Sequence, residues 1–101
     1  MLIGTFKQLD NGKFKGQLRT LTVDARVDFV PVEPNGSNSP DYRLYTGIAE
    51  IGAAWRKTSE KSNREYLSVK LDDPSFTAPV FASLIEQESG DGFALIWGRR
   101  D

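Results

Sequence analysis

A chain of 101 residues with a net charge of −1 is the size of one small domain, and its bulk charge selects no partner. It contains neither cysteine nor histidine, which excludes disulfides, thiol nucleophiles, thiolate metal sites and any Ser–His or Cys–His catalytic arrangement. No apolar run approaches the roughly 18 residues that span a bilayer, and the opening "MLIGTFKQLDNGKF" lacks the apolar core of a signal peptide.

The first segment ends at Asp10-Asn11-Gly12, a strong hairpin signal. A two-residue Asn-Gly loop pairs Leu9 with Phe14. A three-residue loop, read as pairing Phe6 with Leu18, is preferred because it aligns the apolar positions better. Next, "KFKGQLRT" alternates Phe14, Gly16 and Leu18 against Lys13, Lys15, Gln17 and Arg19. "TVDARVDFVPV" places Val23, Ala25, Val27 and Phe29 on one face and Asp24, Arg26 and Asp28 on the other, the period of a half-buried strand.

"EPNGSNSPD" (Glu33–Asp41) is the longest polar stretch, with two prolines and a glycine, and reads as a flexible loop inside a single domain over residues 1–101. "YRLYTGIAEI" is apolar on both sides and reads as a central strand, as does "FALIW" near the end. "REYLSVKL" sets Leu67, Val69 and Leu71 against Arg64, Tyr66, Ser68 and Lys70. "VFASLIEQ" fits a strand or a short helix, and Pro79 can open either. "TSEKSN" and "SGDG" (Ser89–Gly92) read as hairpin loops. Trp97 is expected in the core, and Arg99 and Arg100 at a solvated end. Six to seven short strands at this spacing predict an all-β protein, a small antiparallel barrel or sandwich.

Charge is unevenly spread. Residues 51–71 carry five Lys/Arg and two Glu, a net +3, whereas residues 72–101 carry two Arg and six acids, a net −4. No phosphate-binding glycine pattern is present, since "GQLRT" and "GIAEIGAA" lack both spacing and setting. Asp72-Asp73 precedes Pro74 and reads as a turn, because a magnesium site needs further convergent oxygens. No enzymatic activity, metal or cofactor is expected.

The basic segment resolves into faces if Trp55 and Tyr66 lie on adjacent strands. A four-residue loop at 59–62 pairs Lys57 with Arg64 and Trp55 with Tyr66. One face then carries Ala53, Trp55, Lys57, Arg64, Tyr66, Ser68 and Lys70, and the other carries Ala54, Leu67, Val69 and Leu71. Rings ringed by cations suit a single-stranded nucleic acid, with stacking on bases and Lys/Arg along phosphates. Cross-strand packing with aliphatic stems over the rings explains the same pattern structurally, and for Trp55 that reading is favoured. Trp55, Lys57, Arg64, Tyr66 and Lys70 are the candidate binding residues.

The segments "IGTF", "GQLRTLTVDARVDFVPVE", "PDYRLYTG", "EIGAAWRKTS", "REYLSVKLDDPSFTAPVFASL" and "ALIWGRRD" together resemble the bacterial DUF736 family over nearly the whole chain. The most specific part is Gly52 to Leu71, continuing into Asp72-Asp73-Pro74. The resemblance implies a small cytoplasmic product of plasmids and conjugative elements, and brings no catalytic residue to transfer. The expected function is therefore a non-enzymatic accessory protein of a mobile element. Its expected partner is single-stranded nucleic acid or a protein of the conjugation machinery, with no membrane role. The alternative is a protein-interaction module that docks an exposed strand or the Trp55/Tyr66 face.

Overall fold

Runs of period-two alternation become eight antiparallel strands: β1 (Leu2–Gln8), β2 (Phe14–Arg19), β3 (Asp24–Pro31), β4 (Tyr42–Thr46), β5 (Ala49–Thr58), β6 (Glu65–Leu71), β7 (Val80–Glu86) and β8 (Phe93–Trp97). The structure is a computed structural model and describes residues 2–21, 23–33, 36, 39–74, 76–87, 90 and 92–97. Each strand pairs with its sequence neighbour, and β8 closes on β1, giving an up-and-down barrel. Closure pairs both edges of every strand and leaves none to template a further one.

The strand count exceeds the expected six to seven because "YRLYTGIAEI" is not one strand. Thr46 pairs with Ala49 around a two-residue loop, and Gly47 takes a φ of 62° there. A two-residue hairpin needs positive φ in its loop, and glycine supplies it without steric cost. Ile48, the other loop residue, is fully solvent-exposed. "VFASLIEQ" is strand, with Ala82 and Leu84 inward, and Pro79 immediately precedes it.

The first hairpin has a three-residue loop, closed by Leu9 N–H donating to the Lys13 carbonyl at 2.7 Å. That loop pairs Phe6 with Gly16, not with Leu18, which stands opposite Gly4. Apolar alignment misjudged this register because the best partner for Phe6 is the absence of a side chain. A β-carbon at Gly16 would stand 2.6 Å from the Phe6 ring. The ring occupies that space.

Inward positions form one core: Ile3, Phe6, Phe14, Leu18, Val27, Phe29, Tyr42, Leu44, Ile51, Ala54, Leu67, Val69, Leu71, Ala82, Leu84 and Leu95, with Trp97 and Phe93 packed against it. Phe14 meets three rings edge to face: Phe93 at 4.8 Å, Tyr42 at 5.6 Å and Phe29 at 5.8 Å. Such T-shaped pairs add about 0.5–1.5 kcal/mol each beyond area burial. These rings thicken the core beneath the barrel end where the loops after β1, β3, β5 and β7 gather.

The loop between β3 and β4 is anchored at its base. Val32 donates to the Asp41 carbonyl at 3.0 Å, and Asp41 donates to Ala54 at 2.9 Å. Pro34, Asn35, Ser37 and Asn38 of the expected flexible loop lie outside the described residues, as do Glu88, Ser89 and Asp91 of the last hairpin and the terminal Arg99 and Arg100. The Asp72-Asp73 pair does lie in a turn: Asp72 donates to Ile51 and Phe76 to Asp73, both at 2.8 Å. Among the described residues no three His, Cys, Asp or Glu side chains form a group able to hold a metal ion. Among the described residues no helix is long and apolar enough to cross a membrane.

Candidate functional site

The β5–β6 hairpin carries all five sequence-derived candidates. Ser59 donates to the Arg64 carbonyl at 2.9 Å, and Asn63 donates back to Ser59 at 2.8 Å. The four-residue loop is therefore 60–63, one position later than expected. Asn63 adopts a φ of 57° as its last member, a conformation that asparagine tolerates better than most residues. The register moves by two: Lys57 faces Tyr66, Trp55 faces Ser68 and Ala53 faces Lys70. Pairing of Trp55 with Tyr66 and of Lys57 with Arg64 is thus corrected.

A slip of two leaves every side chain on its expected face. Ala54, Leu67, Val69 and Leu71 are buried, while Trp55, Lys57, Tyr66, Ser68 and Lys70 lie outside the core. Trp55 and Tyr66 are half-buried and Lys57 is exposed. Arg64 precedes β6, faces Ser59 across the loop closure and sits at the rim between the outer face and the barrel mouth. Lys57, Arg64 and Lys70 make no ion pair with any described residue.

The outer face continues onto β7. Lys70 stands opposite Phe81 and Ser68 opposite Ser83, and Phe81 and Ile85 are 38% and 41% exposed. A cleft of about 390 Å³ runs beside Tyr66, bounded by Ser62, Arg64, Ser83 and Ile85 and also by the carboxylates Glu65 and Glu86, so the positive surface ends at this edge. On the other flank Arg43 is engaged by Glu50 at 3.1 Å. The free positive charge of this surface is therefore concentrated on Lys57, Lys70 and Arg64.

A second concavity lies in the barrel mouth. It measures about 460 Å³, with Phe14, Phe93, Leu67 and Leu84 among its lining. Gln8, Tyr42, Arg56, Arg64, Glu65, Tyr66 and Glu86 contribute its polar groups, so Arg64 and Tyr66 border both concavities. Arg56 shares the inward parity of Ala54 and stands opposite buried Leu67. Its guanidinium donates to the Tyr42 hydroxyl at 3.3 Å, and its backbone N–H donates to the Asp41 carboxylate at 2.7 Å. Arg56, Tyr42, Phe81 and Ile85 were not among the sequence candidates. Arg56 had a readable signal, a cation on the core parity of its own strand. Phe81 and Ile85 could not be placed before "VFASLIEQ" was known to be a strand.

Searches against curated proteins and solved structures return no match. The family model for a protein of unknown function, DUF736, matches residues 2–100. This eight-stranded barrel, with its cationic β5–β6 face and its arginine-lined mouth, therefore belongs to the DUF736 family.

Proposed function

We propose that this chain is a non-enzymatic accessory protein of a mobile genetic element, acting in the cytoplasm, which holds single-stranded nucleic acid weakly on the outer face of β5 and β6. The observation that carries the reading is Lys57 directly opposite Tyr66, with Trp55 and Lys70 on the same face and no carboxylate paired to either lysine among the described residues. Aromatic faces accept bases of any sequence, and unpaired ammonium groups follow the phosphates. A net charge of −1 over the chain limits the affinity, because long-range attraction is absent and only the local patch contributes. The test is anisotropy of a labelled oligonucleotide at low and moderate salt. Binding that weakens steeply with salt supports the reading, and no binding at high micromolar protein overturns it.

A specific observation favours a second reading. Phe81 and Ile85 extend the Tyr66 surface with exposed apolar area, which suits a protein partner of the conjugation machinery. The closed barrel offers no unpaired edge for strand addition, so such a partner docks on the face. Its binding is insensitive to nuclease and only weakly dependent on salt, so a pull-down with and without nuclease separates the two readings.

A further inference from the structure

We infer that the barrel mouth is a separate binding site for a small organic monoanion with a flat apolar body, of which an aromatic carboxylate is the simplest example. Arg56 has the inward parity of its strand but lies at the open end of the barrel, where it stays solvent-exposed, and it is held from two sides. Asp41 fixes its backbone N–H, and the Tyr42 hydroxyl accepts one guanidinium bond. A guanidinium carries five N–H donors in a fixed fork suited to a carboxylate. No described carboxylate lies within ion-pair distance of that guanidinium, so the fork retains donors for a ligand.

Beneath it the lining changes character. Phe14 and Phe93 meet edge to face at 4.8 Å; half-buried Phe93 offers apolar surface to a flat ring, backed by the buried Phe14, Leu67 and Leu84. A volume of about 460 Å³ suits a small molecule, and barrel mouths are a common place for such sites. The rim sets the charge. The lining carries Arg56 and Arg64 against Glu65 and Glu86, so as a whole it is neutral, with no ion pair joining these groups. The two carboxylates repel a dianionic phosphate about twice as strongly as a monocarboxylate, whose single charge Arg56 alone can match. The mouth shares Arg64 and Tyr66 with the edge of the outer face, but its anchor Arg56 is not part of that face, so the site does not depend on the nucleic-acid reading.

The test is a titration of isotopically labelled protein with benzoate, benzyl alcohol and inorganic phosphate, followed by backbone amide shifts. Saturable benzoate shifts at Phe14, Tyr42, Arg56 and Leu67 are expected, with benzyl alcohol about tenfold weaker because it has neither the charge nor the second oxygen that pairs with the guanidinium fork. Arg56→Gln should weaken benzoate about tenfold, and Tyr42→Phe, which removes only the hydroxyl that steadies the guanidinium, about threefold. Lys57→Gln, on the outer face, should leave benzoate binding unchanged. The inference is overturned if the mouth shows no saturable shift, or if benzyl alcohol or phosphate binds as well as benzoate. Unchanged affinity in Arg56→Gln also overturns it. Should that variant fail to fold, unchanged affinity in Tyr42→Phe decides against the site.

Discussion

The Phe6 ring lies over Gly16, its direct partner across the β1–β2 ladder, in the space that a β-carbon at position 16 would occupy. A methyl group there would stand 2.6 Å from the ring and also press on the Thr5 carbonyl oxygen, which is backbone and cannot swing aside. Gly16→Ala is therefore expected to destabilise the barrel by about 1–3 kcal/mol or more, the cost of overpacking a tight site. Equilibrium urea unfolding measures it. A change below about 0.5 kcal/mol, the range of ordinary surface substitutions, would show that the ladder absorbs the methyl group.

Phe29 is fully buried and takes part in two edge-to-face pairs, with Phe6 at 5.1 Å and Phe14 at 5.8 Å. Phe29→Ala should cost about 3–5 kcal/mol. Against a total stability of roughly 5–15 kcal/mol for a natural domain, that is a large share. Phe81→Ala, on the partly exposed outer face, should cost much less. Parallel denaturant titrations of the two variants test the inside–outside assignment directly, and equal losses would contradict it.

These faces were legible in the sequence because side-chain parity survives errors in pairing. Lys57 was expected opposite Arg64 and lies opposite Tyr66, yet both pairings put Lys57, Tyr66 and Lys70 on one side and Leu67, Val69 and Leu71 on the other. Loop boundaries were harder to read, since they turn on which residue accepts a positive φ. Asn63 fills that role in a loop drawn one position too early, and Gly47 in a turn that was read as part of one strand. The mouth was not legible. It brings together Tyr42 and Arg56 of the β4–β5 hairpin with Phe93 of β8, and only barrel closure brings β8 near that hairpin.

Asp41 ties the base of the β3–β4 connection to β5, accepting from Arg56 N–H at 2.7 Å while its own N–H donates to Ala54 at 2.9 Å. Asp41→Ala removes the carboxylate bond and keeps the backbone one. The expected loss is roughly 1 kcal/mol, below the usual range for a hydrogen bond to a charged group because this one is solvent-exposed. Replacing Asn35–Ser39 by a short Gly/Ser link should cost less than that single substitution, because loop length itself contributes weakly. Thermal unfolding of both variants checks the order. The reverse order would place the stabilising contacts within 35–39 instead.

The outer face is best tested by separating its two kinds of contact. Lys57 and Lys70 act through charge, so replacing both by glutamate should remove affinity and also flatten its dependence on salt. For single strands the logarithmic slope is about −0.7 per phosphate neutralised, so losing two contacts should reduce it by roughly 1.4. Tyr66 acts through its ring. Tyr66→Ala should lower affinity by about 1–3 kcal/mol and leave the slope unchanged, because no counterion is released by stacking. Arg43→Ala is the internal control: its guanidinium is already engaged by Glu50 at 3.1 Å, so it should alter neither quantity appreciably. Anisotropy titrations of one labelled oligonucleotide across a salt series give slope and affinity together. If the lysine variant loses affinity with an unchanged slope, the ammonium groups do not contact phosphate. If Tyr66→Ala matches the parent in both, the ring only packs the sheet, and β5–β6 is not the face that holds the strand.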